Sequence, residues 1–89
     1  MSWACNFTQD AQTDLEALPR AIQKRVARAV DIMEIDPFRG DVKALVGPEW
    51  KGVFRRRMGS YRLLFTADHA GKTVFVVRIL IRSERTYGL

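Results

Sequence analysis

The apolar period of this chain shifts from helical to strand-like between Met33 and Val53, and that shift dictates a layered fold. From Ala11 to Met33 the apolar residues recur at helical spacing. From Val53 to Ile81 they alternate every second residue, as in strands. A helical stripe and a pleated apolar face each need a partner to be buried, and the simplest partner for each is the other. The sequence therefore predicts an α+β domain of order β-α-α-β-β-β, with a two-helix hairpin on one face of a small antiparallel sheet. With 89 residues there is room for one domain, 1–89, and for a thin core.

Local signals set the boundaries. The run Trp3 to Phe7 reads as a strand. Thr8 suits the N-cap of the helix that follows, and Asp10 suits its electropositive first turn. Ala11, Leu15 and Leu18 mark the buried side of that helix. Pro19 stops it and opens a second, in which Ile22, Val26, Ala29, Val30 and Met33 form the stripe. Asp36-Pro37 ends the second helix, because a residue before proline avoids the helical region. Phe38 to Lys51 reads as a connection punctuated by Gly40, Gly47 and Pro48, with Leu45 and Trp50 expected to anchor it to the core. The three strands are expected over Gly52 to Met58, Tyr61 to Ala67 and Thr73 to Ile81. Gly59-Ser60 joins the first two as a tight turn, and Asp68 to Lys72 joins the others.

Alternation then sorts the arginines. If Tyr61, Leu63 and Phe65 pack on the helices together with Phe75, Val77, Ile79 and Ile81, then Arg55, Arg57, Arg62, Arg78 and Arg82 share the opposite face. Strands lie ~4.8 Å apart, so such guanidinium groups converge and repel unless an anion screens them. No Asp or Glu occurs in Val53 to Ala67 or in Thr73 to Ser83, whereas a merely solvated face usually mixes signs. Arg56 falls on the core side, with escape at the sheet edge or an acid from the helices as its options.

Composition points the same way. The chain carries 15 Lys+Arg against 10 Asp+Glu, a formal net charge of +5. Eleven of the bases are arginine, which grips phosphate with a planar two-point fork. That balance favours a polyanionic partner. No apolar run approaches the ~18 residues that read as a membrane span, and no basic segment followed by an apolar one marks residues 1–10 as a secretory leader. A single cysteine, Cys5, forms no internal disulfide, and a cytoplasmic location is expected.

Four segments, in order, resemble the RelE/ParE toxin superfamily. They are the opening helix Thr8 to Leu18, the connection Asp36-Pro37-Phe38-Arg39-Gly40-Asp41-Val42-Lys43-Ala44-Leu45, the hairpin Arg56-Arg57-Met58-Gly59-Ser60-Tyr61-Arg62-Leu63-Leu64-Phe65, and the closing Arg82 to Tyr87. The resemblance implies the toxin of a type II toxin–antitoxin system. Its RelE-like branch implies a metal-independent endoribonuclease, needing no cofactor, that cleaves messenger RNA in the ribosomal A site. The RNA's 2′-hydroxyl is then the nucleophile. In this scheme Arg62 binds the scissile phosphate, Arg55 acts in transition-state stabilisation or proton transfer, Arg82 stabilises charge, and Tyr87 stacks on a base or handles a proton. Arg57, Arg78, Arg85 and Lys51 are expected to bind the nucleic acid around these four. Val53 stands where some members carry a second catalytic lysine, and Ser60 where aspartate is frequent. The implied partners are a cognate antitoxin, messenger RNA and the ribosome, with operator DNA reached through the antitoxin and no membrane. A ParE-like DNA gyrase inhibitor and a catalytically weak RNA-binding domain are the competing readings.

Other chemistry-bearing residues carry less. His69 lies in a turn away from the predicted arginine face and is expected at the surface. Cys5 is expected to be a small apolar strand residue. Trp3 and Trp50 are expected as core or edge anchors. Asp14, Glu16, Asp31 and Glu34 show neither paired-carboxylate nor metal-ligand spacing.

Overall fold

A computed structural model describes residues 2–81 of the chain. Its elements are strand β1 (Ala4–Phe7), helices α1 (Gln9–Glu16) and α2 (Arg20–Ile35), strand β2 (Val42–Ala44), a single 3-10 turn (Pro48–Trp50), and strands β3 (Phe54–Met58), β4 (Tyr61–Asp68) and β5 (Thr73–Ile81). The five strands form one sheet of order β1-β5-β4-β3-β2. The pairings β2–β3, β3–β4 and β4–β5 are antiparallel, while β1 runs parallel to β5. Helices and sheet make the α+β arrangement that the change of period predicts. The expected all-antiparallel sheet is corrected at β1, whose helical hairpin returns the chain in a sense parallel to β5. The expected plain connection is corrected at β2, a further strand of three residues.

The helix boundaries follow their capping chemistry. Thr8 caps α1: its Oγ1 accepts from the Ala11 amide at 3.2 Å. Pro19 stands just ahead of α2, and Asp36 closes it, with its amide donating to the Ile32 carbonyl at 2.9 Å. Val26, Ala29 and Met33 of the α2 stripe are buried, with Ile22 and Val30 packed beside them. They meet Met58, Leu63, Phe65, Val74, Val76 and Ile79 from the sheet and Ala11 from α1. Gly59 turns the β3–β4 hairpin at a φ of +61°, a conformation that two-residue hairpins need and other residues resist. A Cβ there would also run into the Arg25 guanidinium of α2.

Two packing expectations need correction. Leu45 and Trp50 are half-buried and lie outside the core cluster. Phe38 and Val42 anchor the connection instead, with Pro37 fully buried next to Phe38. Phe38 meets Phe54 edge-on, with ring centroids 5.0 Å apart, and stacks on His69 at 5.5 Å. His69 is exposed, as expected for a turn, and its ring also meets Trp3.

The second correction concerns β5. Its wholly apolar set, Phe75, Val77, Ile79 and Ile81, does not pack on the helices as one face. Val74 and Val76 are buried there, then Ile79, while Phe75 and Ile81 are exposed. The cause is a β-bulge. The register steps from Phe65↔Val76 to Leu64↔Arg78, leaving Val77 without a partner on β4. One extra residue reverses the phase, so even positions face the core before the bulge and odd positions after it. The junction of β1 and α1 holds the bulge open. The Thr8 amide donates to the Val76 carbonyl at 3.0 Å, and the Thr8 hydroxyl donates to the Val77 carbonyl at 3.1 Å. One threonine thus caps a helix and supplies a donor to the carbonyl of a residue that β4 leaves unpaired.

Candidate nucleic-acid interface

Register assigns the face of the sheet turned away from the helices. Directly opposed residues on paired strands point the same way. Core residues Leu63 and Phe65 oppose Arg56 and Phe54, so the alternate positions face outward. Two rows result. Lys43, Arg55, Leu64 and Arg78 stand abreast across β2, β3, β4 and β5, and beside them stand Arg57, Arg62 and Leu80. The sequence-predicted alignment of Arg55, Arg57, Arg62 and Arg78 on one face therefore holds at the level of the backbone. Arg82, Arg85 and Tyr87 lie outside the described residues. Lys51 is exposed, but it follows the 3-10 turn and has no place in the strand register.

The side chains sort the arginines further. The Arg55 side chain is only 8% exposed, and its Nη1 donates to Asp41 Oδ1 at 2.9 Å and to the Asp41 carbonyl at 3.3 Å. Arg57 is more open, with its Nε 3.7 Å from the other Asp41 oxygen, and its amide donates to the Asp41 carbonyl at 3.0 Å. The hydrogen bond from Arg55 holds the Asp41 carboxyl below its ordinary value, against some desolvation and aided by the charges of Arg55, Arg57 and Lys43. Leu64 is buried although it sits on the outward face, in a row between Arg55 and Arg78. The aliphatic stems of arginine are suited to cover such a residue.

The expectation of an arginine face free of acids is therefore corrected. No acid lies in the strands that carry the arginines, but Asp41 reaches them from the start of β2 and Asp14 from α1. Asp14 accepts from Arg78 Nε at 2.7 Å and Nη2 at 3.3 Å, and from the Ile79 amide at 2.9 Å. Burial alone would raise the Asp14 carboxyl. The Arg78 and Ile79 hydrogen bonds and the Arg78 charge outweigh it, and the value falls below the ordinary one. The same contact pushes Arg78 upward. The Arg78 guanidinium is thus engaged with α1 and not presented toward Arg62.

Arg56 takes neither of its two expected routes. It is buried on the core side of β3, opposite Val42 of β2, and its Nη2 donates to the carbonyls of Pro37, at 3.1 Å, and Arg39. Burial pushes its pKa down against the opposing charges of Asp36 and Asp41. Even so, a guanidinium keeps its proton in proteins. Arg56 is a pin for the connection that carries Asp41, and so reaches the outward face only indirectly.

Sequence reasoning missed Asp41, Lys43 and the outward-facing Phe75. The first two depend on β2, whose three residues carry too short an alternation to read. The third depends on the bulge. Cys5 is half-buried, and desolvation, with Glu34 adding to it, pushes its thiol up to about 11, which makes it a poor nucleophile. Among the described residues, no three His, Cys, Asp or Glu gather to hold a metal ion, and no helix is long and apolar enough to cross a membrane.

Comparison with known proteins places this geometry in a family. A family model for the ParE toxin of the type II toxin–antitoxin system parDE matches residues 5–86. The toxin RelG of Mycobacterium tuberculosis is 33% identical over 85 residues, covering 94% of this chain and 95% of the relative. The RelBE2 toxin–antitoxin complex of M. tuberculosis contains a chain that superimposes with a TM-score of 0.82 at 31% identity, covering 92% of this chain and 100% of that one. The archaeal RelE–RelB complex of Pyrococcus horikoshii gives a TM-score of 0.80 at 24% identity, with coverage of 94% and 99%, and supports the fold alone.

Proposed function

The chain belongs to the RelE/ParE superfamily of type II toxin–antitoxin toxins, and from that premise we propose that it acts as a metal-independent endoribonuclease on messenger RNA, on the ribosome and in the cytoplasm. The observation that carries this reading is the cross-strand pair Arg57–Arg62 on the outward face, with Arg55 next to it. Two guanidinium groups abreast can hold one phosphodiester and spread the negative charge that grows on it.

The RNA supplies both the nucleophile and the leaving group. The 2′-oxygen attacks the adjacent phosphorus, the bond from phosphorus to the 5′-oxygen breaks, and a 2′,3′-cyclic phosphate forms. The proton of the 2′-hydroxyl departs, and a proton is delivered to the 5′-oxygen. Arg62 binds the scissile phosphate. Arg55, held by Asp41, is a pre-oriented cation beside it, and Arg57 widens the anion site. Arg82 and Tyr87, assigned by family resemblance, supply further charge stabilisation and the stacking or proton-transfer group, with Lys51 and Arg85 as flanking phosphate contacts. Arg78 contributes through the stability of β5, because its guanidinium is bound to Asp14. The partner that would restrain the activity is a cognate antitoxin, a reading supported by the M. tuberculosis relative solved in a toxin–antitoxin complex.

The test is direct. Purified protein added to programmed ribosomes should yield RNA fragments ending in a cyclic phosphate. Arg62→Ala should slow cleavage by about 100- to 1,000-fold, the usual effect of deleting one transition-state donor. Binding of the antitoxin should survive that substitution. Inhibition of DNA gyrase supercoiling without RNA cleavage would overturn the reading in favour of a ParE-like target.

A further inference from the structure

Five phenylalanines occur in the chain, and four of them, Phe7, Phe38, Phe54 and Phe65, lie in or against the core. Phe75 does not. The bulge at Val77 turns it outward, 40% exposed, on the same face as the arginine rows. Its neighbours in register are Asn6 of β1 on one side and Thr66 of β4 on the other. Asn6 is exposed and Thr66 half-buried, and neither side chain makes a hydrogen bond among the described residues. An aromatic ring thus stands between an amide and a hydroxyl, each about 4.8 Å away across the sheet.

We propose that Phe75, Asn6 and Thr66 form a nucleobase subsite, in which a base of the bound single-stranded RNA stacks on the Phe75 ring while Asn6 and Thr66 hydrogen-bond its edge. The inference rests on the RNA-directed reading above and names where the strand goes after it leaves the phosphate site. Charge complementarity selects the occupant. The face leading to Phe75 carries Lys43, Arg57 and Arg62, which suit a phosphate backbone. Along β4, Thr66 lies four residues from Arg62, or about 13 Å. That span is well within the reach of a single-strand site of about 4 nucleotides. A ring face accepts any base, whereas an amide offers both donor and acceptor and a hydroxyl adapts to either. Phe75 therefore contributes affinity, and Asn6 with Thr66 contributes preference.

The probe is a 2′-O-methylated single-stranded oligoribonucleotide, uncleavable because its 2′-oxygen has no proton, together with the same strand made abasic. Phe75→Leu keeps an apolar strand residue but removes the ring. It should weaken binding of the base-bearing strand by about 5- to 150-fold. It should leave binding of the abasic strand, and the dependence on salt, unchanged. Phe75→Trp should restore or exceed wild-type affinity, which shows that the sheet tolerates change at this position. Asn6→Ala should shift the ranking of strands that differ in base identity. If Phe75→Leu binds like wild type while Arg62→Ala does not bind, the subsite is wrong and the phosphate reading stands. If the wild type shows no salt-dependent binding of either strand, the RNA reading fails and the subsite with it. If Phe75→Leu weakens only the antitoxin complex, Phe75 is a protein contact and the proposal is overturned.

Discussion

Replacing Asp14 by alanine should destabilise the fold far more than a surface acid would. Its carboxylate is largely covered, at 18% exposure, and accepts from Arg78 twice and from the Ile79 amide once. The amide bond to a charged acceptor contributes about 1.5 kcal/mol or more. The Arg78 pair adds less, roughly 0.5–1 kcal/mol, because the arginine is half exposed and screened by solvent. Asp14→Ala should therefore cost about 2–3 kcal/mol. At about 4–8 °C per kcal/mol for a domain of this size, the melting temperature should fall by roughly 10–20 °C. Asp14→Asn keeps an acceptor for the Ile79 amide and should lose about half as much. The pH dependence follows from the depressed carboxyl. Its folded value lies below the ordinary 3.8, so the stabilisation is fully present above the unfolded value. It disappears as pH falls through the folded value. The difference in unfolding free energy between wild type and Asp14→Asn, measured by urea titration, should be constant near neutrality and shrink only below about pH 4. An alanine variant melting within about 2 °C of wild type, or a difference that does not change in acid, would refute the argument.

Three further outcomes follow from the same geometry. Met33 is fully buried at the C-terminal end of the α2 stripe, so Met33→Ala should cost about 2–5 kcal/mol by chemical denaturation. Arg56→Met leaves the Pro37 and Arg39 carbonyls without their guanidinium donor and should cost about 1–3 kcal/mol, with Arg56→Lys recovering only part because one ammonium is a poor substitute for the fork. Asp41→Asn removes the internal counter-ion of Arg55 and Arg57. It should tighten binding of a single-stranded polyanion and steepen its salt dependence, which a titration at several salt concentrations measures; weaker binding would show that Asp41 acts only as a support.

Where the sequence was legible, a local rule and the tertiary structure agreed. Thr8, Pro19 and Asp36-Pro37 marked helix ends by chemistry that does not depend on distant contacts. The α2 stripe and the Gly59-Ser60 turn were equally self-contained. The failures share a cause, which is dependence on something remote. β2 exists because Val42, Lys43 and Ala44 pair with Arg56, Arg55 and Phe54, and three residues carry no periodicity of their own. The bulge at Val77 exists because Thr8, 69 positions away, bonds its carbonyl. Strict alternation, read without that bond, put Phe75 in the core and Val74 and Val76 outside it. The arginine row was legible as backbone placement. Its internal neutralisation by Asp41 and Asp14 was not, because both acids arrive from other elements.

The run Arg55-Arg56-Arg57 shows how one strand can make three kinds of cation from one residue type. Pleating sends Arg56 to the core side, where it pins the connection through the Pro37 and Arg39 carbonyls. That connection carries Asp41 back to the outward face, where it holds Arg55 and leaves Arg57 exposed. Removing the buried arginine should therefore disturb the outward pair through Asp41, although Arg56 itself lies on the core side. In the proposed reaction, a cation held in place before the substrate arrives loses little freedom on binding, while its Asp41 partner offsets part of its charge. A cation left more exposed is better suited to capture a polyanion from solution. Neither kind can take the 2′-proton, since arginine stays protonated throughout. In the proposed ribonuclease reaction the row therefore serves binding and charge stabilisation, and the proton transfers would fall to groups beyond it, with Tyr87 the one that family resemblance names. On that proposal the rate of cleavage should respond to pH through those groups alone, while binding to the arginine row stays flat across the same range.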